Sequence, residues 1–197
     1  MADQIRIAHP NDAEQMLEIY RPVVLETTIS FELEPPSVME MQQRIMATLV
    51  KLPWLAIKDD GYVLGYAYAS PHRDRLAYQW SADVSVYVHS QARRRGLARR
   101  LYTALFKILA FLGYYNAYAG IALPSESSIR LHQAMGFKQV AVYQKVGYKQ
   151  GAWHDVSWWA LVLQPHDPSP AKPRLFSELQ HNGEIQAGFG LTLPQFP

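Results

Sequence analysis

The sequence contains no cysteine among its 197 residues. Disulfides, thiolate nucleophiles and cysteine-ligated metals are therefore excluded, while the redox compartment is left open. Long apolar runs are also missing, because the longest, residues 101–112, is interrupted by Lys107 and is too short to span a bilayer. The start, MADQIRIAHP, lacks the apolar run of a signal peptide, so a cytoplasmic location is expected.

Charge is sparse as well. Charged residues make up 18% of the chain, and the formal net charge is only +2. So weak an excess does not favour general binding to nucleic acid or to a membrane, and it fits a local anion site better. The seven histidines show no metal-ligand spacing such as HxxxH, so no metal is expected. A hydrophobic content of 49% is nonetheless ample for a sizeable core.

What is present is an alternation of helical and strand patterns as far as residue 164. Apolar periodicity, punctuated by proline and glycine, predicts the order β-α-α-β-β-β-α-β-α-β-β and hence a mixed α/β domain. Pro22 is expected to kink or end the first helix, and a longer strand is expected over residues 77–89. Residues 165–197 are rich in proline and glycine without periodicity, which predicts a partly extended or disordered tail.

The most informative segment leads from a strand into an amphipathic helix and runs VSVYVHSQARRRGLARRL from Val84. Backbone N–H groups at a helix N-terminus are unpaired, carry partial positive charge and bind anions. Gly96 lets the backbone approach an anion closely, and the small Ala98 keeps that approach clear. From these residues alone, a solvated basic loop that caps a helix is the alternative, with contact to nucleic acid a lesser one.

Arg93-x-x-Gly96-x-Ala98, after a strand and at a helix start, resembles the (Q/R)-x-x-G-x-(G/A) signature of the GNAT acetyltransferase superfamily. LPSESSIRLHQAMGF from Leu123 resembles its second CoA-side helix, and YKQGAWHDV from Tyr148 resembles the phosphinothricin and methionine-sulfone acetyltransferase branch. The resemblance covers residues 4–163. It implies a GNAT domain over residues 1–164, with a mostly antiparallel central sheet of about seven strands flanked by about four helices.

The resemblance also implies acetyl-CoA as co-substrate, with its diphosphate at this turn. The residues that it assigns to the cofactor are Val86, Tyr87, Val88, Arg94, Arg95, Gly96, Leu97, Ala98, Arg99 and Ser125. Main-chain groups of residues 86–88 would bind the pantetheine arm and the thioester carbonyl, while core packing is the other explanation for these residues. Ser125 stands where the family usually has asparagine, although serine can still hydrogen-bond and cap a helix.

Acetyl transfer to an amine needs a group that removes a proton, because an α-amino group has a pKa of about 7.7–8.0. Asp83 is the candidate base, since an ionisable side chain in so apolar a strand is unusual unless it is paired or functional. The related branch has glutamate there, so this carboxylate reaches about 1.5 Å less far. A water relay could absorb that gap. A purely structural aspartate is the alternative. Strand alternation puts Asp83 and Ser85 on one face.

Arg73 and Arg75 flank Asp74 in a loop after a strand. Two guanidinium groups that point together match a carboxylate or phosphinyl group. An Arg-x-Arg at this location binds the amino-acid carboxylate in the methionine-sulfone branch. The resemblance therefore implies a substrate site formed by the two arginines with Asp83 and Ser85, and two solvated loop arginines are the alternative.

His132 lies on the second CoA-side helix, where the related branch also has a histidine. The resemblance implies that it assists proton movement or holds the substrate, so it is the second candidate catalytic residue. A lone histidine on a helix is also commonly structural.

These features predict transfer of an acetyl group from acetyl-CoA to the amine of a small amino-acid-like substrate, by direct attack with a carboxylate base. Phosphinothricin, methionine sulfoximine and methionine sulfone are substrates of this type. Acetylation of a protein N-terminus or lysine is an alternative, which the arginine pair disfavours because a carboxylate receptor has no use on a peptide. A non-catalytic acyl-CoA sensor is another, for which the departures at Asp83 and Ser125 leave room. The resemblance suggests a homodimer; no nucleic-acid or membrane partner is expected.

Overall fold

A seven-stranded sheet runs through the protein in the computed structural model, which describes residues 3–181 and 189. The strands are β1 (Gln4–Ile7), β2 (Trp54–Asp59), β3 (Tyr62–Pro71), β4 (Ser81–Val88), β5 (Asn116–Ala122), β6 (Lys138–Lys149) and β7 (Ala152–Val162). The helices of the described residues are α1 (Ala13–Glu26), α2 (Val38–Lys51), α3 (Leu97–Leu112), α4 (Glu126–Ala134) and α5 (Phe176–His181). Three short 3-10 turns span Pro10–Asp12, Leu76–Tyr78 and Ser90–Ala92.

The strand order is β1-β2-β3-β4-β5-β7-β6, and every neighbouring pair is antiparallel except β4 with β5. This is the mostly antiparallel mixed sheet that the sequence predicts. The parallel pair is short, because it begins at Ser81↔Asn116 and ends at Asp83↔Tyr118. Beyond Asp83 the rest of β4 is not paired with β5, so the sheet splits there into two halves.

Each face of the sheet carries its own core. The first core lies under α3 and includes Ala82 and Val84 of β4 with Leu101 and Leu105 of α3. The second lies under α1 and α2, and the Tyr87 ring of β4 packs against it. The alternation predicted for β4 is thereby confirmed, and Asp83 points away from the α3 side of the sheet.

The prediction that Pro22 ends or kinks the first helix is wrong about its end, because α1 continues to Glu26. A proline inside a helix costs about 3 kcal/mol through a lost hydrogen bond and a steric clash. The turn that follows includes Val23 and Val24, which are buried against α2 and the sheet. Burial of these two side chains offsets the cost of continuing the helix.

The strand expected over residues 77–89 starts later, at Ser81. The preceding residues form the 3-10 turn Leu76–Tyr78, whose Leu76 side chain is 77% exposed. Pairing with β3 ends at Pro71↔Ala82, so residues before Ser81 have no strand partner to extend the ladder. The loop that carries Arg73 and Arg75 is therefore longer than the sequence pattern suggests.

The segment after β7 contributes to the core as far as α5. Phe176 and Leu179 are both 0% exposed and belong to the core under α3. The backbone N–H of Arg174 donates to the carbonyl of Leu112 at 2.9 Å, which ties the segment to the end of α3. The sequence predicts no helix here. Residues 182–188 and 190–197 of the expected tail lie outside the described residues. No described helix is long and apolar enough to cross a membrane.

Candidate active site

Asp83 and His72 form a close pair at the point where the sheet splits. His72 Nδ1 lies 2.6 Å from Asp83 Oδ1, and the two side chains are 13% and 28% exposed. Strand register produces the pair, because Pro71 is opposite Ala82 and the next residue of the chain is His72. The structure thus gives the predicted base a partner at hydrogen-bond distance.

The surroundings of Asp83 favour the protonated form of its carboxyl group more than bulk water would. Burial raises the pKa of the Asp83 carboxyl, and the His72 hydrogen bond with the charges of His72 and Arg73 only partly opposes the rise. A carboxylate that is desolvated and also paired with an imidazole is typical of groups that exchange protons.

His72 is the site residue that the sequence analysis missed. Its ring stacks on Tyr118 with centroids 4.3 Å apart, and it meets the Tyr78 and Trp158 rings edge-on at 6.0 and 6.1 Å. The signal that would have found it is the antiparallel pairing of the two strands around Asp83. The sequence pattern ends β3 at Ala69, whereas the strand continues to Pro71, and only this longer strand brings His72 next to Asp83.

The two arginines of the loop have different surroundings. The Arg73 guanidinium lies 5.7 Å from the centroid of the Trp158 ring and donates from Nη1 to the His72 carbonyl at 2.7 Å. Arg75 begins the 3-10 turn and is exposed to solvent. The charge of Arg73 lowers the pKa of Asp83, but among residues 3–181 no ion pair joins either Arg73 or Arg75 to that carboxylate.

Ser85 lies two residues after Asp83 on the same face of β4, and it is opposite Tyr68 of β3. Beside it is a small cavity of about 130 Å³. The residues that line it are Tyr20, Met41, Arg44, Thr48, Trp54, Tyr66 and Tyr68. Glu32 of the α1–α2 loop closes this side, because it accepts from the Tyr20 hydroxyl and pairs with the Arg44 guanidinium.

A larger apolar pocket of about 390 Å³ is lined by residues of the α1–α2 loop, β5, β6 and β7. Its lining residues are Ile29, Phe31, Gly120, Ala122, Tyr143, Val146, Val156 and Trp158. Asp83, His72 and Arg73 are not among them, but the Trp158 ring lies 6.1 Å from the His72 ring and 5.7 Å from the Arg73 guanidinium. Trp158 thus links the pocket to the pair of His72 and Asp83, and the pocket offers space for an apolar side chain.

The α1–α2 loop is fixed over this pocket by the β6–β7 hairpin. Lys149 is 5% exposed, and its Nζ donates to the carbonyls of Val24 and Ser30, both at 2.6 Å. The Phe31 ring packs directly on Gly147, where a Cβ atom would lie 2.0 Å from it. Only glycine permits this contact, so Gly147 and Lys149 together set the position of Phe31.

The turn before α3 has the conformation that its sequence predicts. Arg94 and Gly96 have φ of 61° and 75°, and α3 starts at Leu97, with no side chain capping its N-terminus. A Cβ at Gly96 would meet nothing within 4 Å, so the space beside this residue is open. A helix start of this kind fits a diphosphate, because the first amides of a helix lack intrahelical partners and the helix dipole is positive there.

Some side chains around the turn are exposed to solvent, and others are buried or paired within the protein. Arg94 and Arg99 are exposed, whereas Leu97 is buried in the core under α3. Arg95 pairs with the carboxylates of Asp3 and Asp59, each at 3.6 Å. Arg95 is thus held toward β1 and β2, and its remaining contribution to an anion site is its backbone amide.

Residues 86–88 of β4 follow the point where the sheet splits. The side chains of Val86 and Val88 pack against the core under α3, and the Tyr87 ring contacts the Tyr20 ring edge-on at 5.0 Å. Their side chains are accounted for by packing, while the β5-facing backbone edge is not paired with β5. That edge is where an extended ligand arm would find free main-chain groups.

His132 is placed on the other side of the sheet from the Asp83 side chain. It is 5% exposed, its Nδ1 lies 2.8 Å from the carbonyl of Ser128, and its Nε2 lies 3.2 Å from the Tyr102 hydroxyl. Burial lowers the pKa of His132, and the hydrogen bond that its Nδ1 donates to the Ser128 carbonyl opposes the change. Both ring nitrogens have partners in the protein, which explains the residue without catalysis.

Ser125 occupies the N-cap position of α4, but its hydroxyl makes no capping hydrogen bond. Its carbonyl accepts from the Ile129 N–H at 3.0 Å as in an ordinary first turn. The capping role expected of the serine is therefore not seen. No cluster of three or more potential metal ligands occurs in the described part of the chain.

Known proteins share both this fold and these segments. The family model for the acetyltransferase (GNAT) domain matches residues 5–158. The chain is 34% identical over 171 residues to phosphinothricin N-acetyltransferase of Streptomyces viridochromogenes, which covers 86% of this chain and 93% of that protein. It is 31% identical to an L-methionine sulfoximine/L-methionine sulfone acetyltransferase of Salmonella typhimurium, over 82% of this chain and 95% of that one.

The solved structures agree. A phosphinothricin acetyltransferase from Sinorhizobium meliloti in complex with acetyl-CoA matches with a TM-score of 0.81 at 31% identity, over 89% of this chain and 99% of that one. The chain belongs to the GNAT acetyltransferase family. The family and fold that the sequence predicts are confirmed, and with them an acetyltransferase of the kind that uses acetyl-CoA as co-substrate.

Proposed function

We propose that the protein transfers the acetyl group of acetyl-CoA to the amine of a small substrate that resembles an amino acid. The observation that carries the proposal is the convergence of Asp83, His72 and Arg73 beside an apolar pocket, at the split between β4 and β5. Relatives at 31–34% identity are named for phosphinothricin, methionine sulfoximine and methionine sulfone, which makes that substrate class the first to test.

Each part of such a substrate has a counterpart in the site. The Arg73 guanidinium, with Arg75 from the same loop, offers charge and donors to a carboxylate. The pocket beside Trp158 offers apolar surface to the side chain. Asp83 supplies the negative charge that attracts an ammonium and the carboxylate through which its proton leaves. Ser85 lies on the same face of β4 as Asp83 and belongs to the same proposed substrate site.

The acetyl donor is assigned to the split in the sheet. Its diphosphate would bind the amides of the turn formed by Arg94, Arg95 and Gly96 and of the first residues of α3, Leu97 to Arg99. Its pantetheine arm would follow the free edge of residues 86–88 toward Asp83, with Ser125 on the opposite side of the split. The co-substrate supplies the activated acetyl group, and the protein contributes alignment and proton removal.

Two further proposals concern the molecule as a whole. We propose that it forms a homodimer in the cytoplasm. The edge strand β6 and its hairpin support the dimer, because large apolar side chains are exposed along them. These are Val140, Val142, Tyr143, Val146, Tyr148 and Trp153. Light scattering of the purified protein tests the dimer.

The alternatives make different predictions. A sensor would bind acetyl-CoA without releasing CoA in the presence of any amine. A peptide acetyltransferase would acetylate amines that lack a neighbouring carboxylate as well as those that have one. The arginine loop beside the pocket favours a free amino acid over both.

The test is CoA release with acetyl-CoA and a panel of amino acids, their sulfone, sulfoximine and phosphinyl relatives, and the corresponding decarboxylated amines. We expect turnover with carboxylate-bearing members and much weaker turnover with the amines. Asp83→Asn should lower kcat by about 10²–10⁴-fold and change the affinity for acetyl-CoA little. Unchanged turnover in this variant would reject Asp83 as part of the base.

A further inference from the structure

We infer that the atom that accepts the proton of the substrate amine is Nε2 of His72, and that Asp83 acts through this imidazole. The inference rests on the proposed acetyltransferase function and assigns its base to a pair of residues. It rests on the 2.6 Å contact between His72 Nδ1 and Asp83 Oδ1 and on the aromatic side chains that hold the ring.

When the Asp83 carboxyl is ionised, the contact sets which nitrogen of His72 carries the hydrogen. An ionised carboxylate only accepts hydrogen bonds, so in that state Nδ1 of His72 is the donor and holds the proton in the neutral imidazole. Nε2 is then left with its lone pair, the form that a general base needs. Among residues 3–181 no hydrogen-bond partner of His72 Nε2 is found, in contrast to His132, whose two nitrogens are both engaged.

The ring is also held in place. It stacks on Tyr118 with an interplanar angle of 18°, and it meets Trp158 at 80°. Trp158 also lines the apolar pocket, so one side chain contacts both the imidazole and that pocket. A base must be positioned within hydrogen-bond reach of the amine, and this packing supplies the positioning.

The pair also explains how a short carboxylate serves here. One methylene less than glutamate withdraws the carboxyl group by about 1.5 Å, one carbon–carbon bond. The imidazole bonded to Asp83 extends the base beyond the carboxylate by the width of a ring.

The titratable and charged groups that face His72 are Asp83, Arg73, Tyr78 and Tyr118. Asp83 is the negative neighbour and Arg73 the positive one, so the two charges next to the imidazole have opposite signs.

The substrate ammonium loses one proton to His72 Nε2, from which it passes to solvent. The free amine forms an N–C bond to the acetyl carbon while the C–S bond of the thioester breaks. The second proton of the nitrogen goes to the departing sulfur, which leaves as the thiol of CoA.

His72→Asn tests the inference because its amide can still donate to Asp83 from near the Nδ1 position but has no counterpart of Nε2. We expect kcat/KM for the amine to fall by about 10²–10⁴-fold, with the affinity for acetyl-CoA unchanged within about twofold. In His72→Gly, added imidazole should restore part of the activity. His166→Asn removes an exposed imidazole that stacks on Tyr115, and this control should keep wild-type kcat/KM.

The pH profile and the free enzyme give independent measurements. A base loses activity when it is protonated, so kcat/KM of the wild type falls as pH decreases. The position of the acid limb should change in His72→Asn, where the Asp83 carboxylate is the base that remains. Long-range ¹H–¹⁵N NMR of the wild-type protein without substrate should show the Nδ1–H tautomer of His72, assigned from the signals missing in His72→Asn.

The outcomes are distinct. CoA release by the wild type together with near wild-type kcat/KM in His72→Asn, or an Nε2–H tautomer of His72, overturns the inference and leaves Asp83 as the direct base. A wild type that releases no CoA with any amine of the panel overturns the proposed function instead, and the assignment of a base falls with it. If His72→Asn does not fold, imidazole rescue of His72→Gly and the wild-type tautomer decide the question.

Discussion

His72 and His132 place their imidazoles in opposite situations. The His72 ring has one nitrogen on a carboxylate and lies beside an apolar pocket, whereas His132 is enclosed by the Tyr102 hydroxyl, the Ser128 carbonyl and the Phe137 ring. A histidine acts as a base through a nitrogen that is free to bind a proton. His72 meets that condition, while the catalytic role expected of His132 stays a prediction.

His132→Leu separates the two explanations for that residue. It leaves the buried Tyr102 hydroxyl without its partner, so we expect unfolding to become easier by about 1–3 kcal/mol while kcat stays within about tenfold of wild type. Adding Tyr102→Phe removes the unpaired hydroxyl and should recover part of the loss. A fall in kcat of several hundredfold without loss of stability would instead support a catalytic His132. Chemical denaturation and CoA release measure the two quantities.

The same variant has a defined pH dependence. Burial lowers the pKa of His132 in the folded chain, so the unfolded chain binds the proton more readily. The folded state therefore loses stability as pH falls through the ordinary imidazole value of about 6.5. His132→Leu should reduce this part of the loss between neutral and mildly acid pH. The prediction is contradicted if the difference in unfolding free energy between the wild type and His132→Leu is the same at neutral and at mildly acid pH.

At the level of elements, the proposed substrate site is assembled from parts of the chain that are distant in sequence. Lys149 of β6 binds carbonyls of α1 and of the loop after it, 125 and 119 residues away. Burial lowers the pKa of Lys149, although the charge of Glu32 opposes the change. A buried ammonium with two carbonyl partners fixes the loop in one position, and Phe31 of that loop lines the apolar pocket.

Lys149→Met keeps the length of the side chain and removes its donors. We expect a loss of stability of about 2–3 kcal/mol, because hydrogen bonds to charged groups contribute about 1.5–3 kcal/mol. Amide hydrogen exchange in residues 24–32 should become faster, and KM for the amine should rise while KM for acetyl-CoA does not. Lys138→Met, at an exposed position of the same strand, is the control and should change none of these. Equal changes in both Michaelis constants would show that the lysine supports the fold as a whole.

The helices and strands could be predicted from the sequence, whereas the contacts between them could not. Period and punctuation are local signals, so the strands and helices as far as β7 are predicted with small errors at their ends. The turn before α3 is local too, and Gly96 marks it correctly. The pair of His72 and Asp83 depends on the register between β3 and β4, and the clamp at Lys149 depends on contacts across the whole chain. Neither arrangement leaves a periodic pattern that could be recognised.

On the scale of the whole molecule, the chain after residue 164 stays in contact with the preceding domain as far as α5. The segment after β7 returns to the end of α3, where Gln164 donates to the carbonyls of Ala110 and Tyr114. The Trp80 indole donates to the carbonyl of Ala171, and α5 then inserts Phe176 into the core under α3. The sequence does not reveal this because one short helix with two buried residues, among prolines, has no measurable period.

Phe176→Ala tests whether this segment is part of the folding unit. Replacing a fully buried phenylalanine by alanine costs about 3–5 kcal/mol, through lost transfer energy and the cavity left behind. For a chain of this size each kcal/mol lowers Tm by about 2–4 °C, so we expect a fall of about 6–20 °C. Leu175→Ala, at an exposed neighbouring position, should lower Tm far less. The turn that fits the diphosphate lies at the opposite end of α3 from Leu112, so kcat at 25 °C should be nearly unchanged in both variants. A Phe176→Ala protein with the same Tm as the wild type would show that α5 does not stabilise the domain and that the core is complete without it.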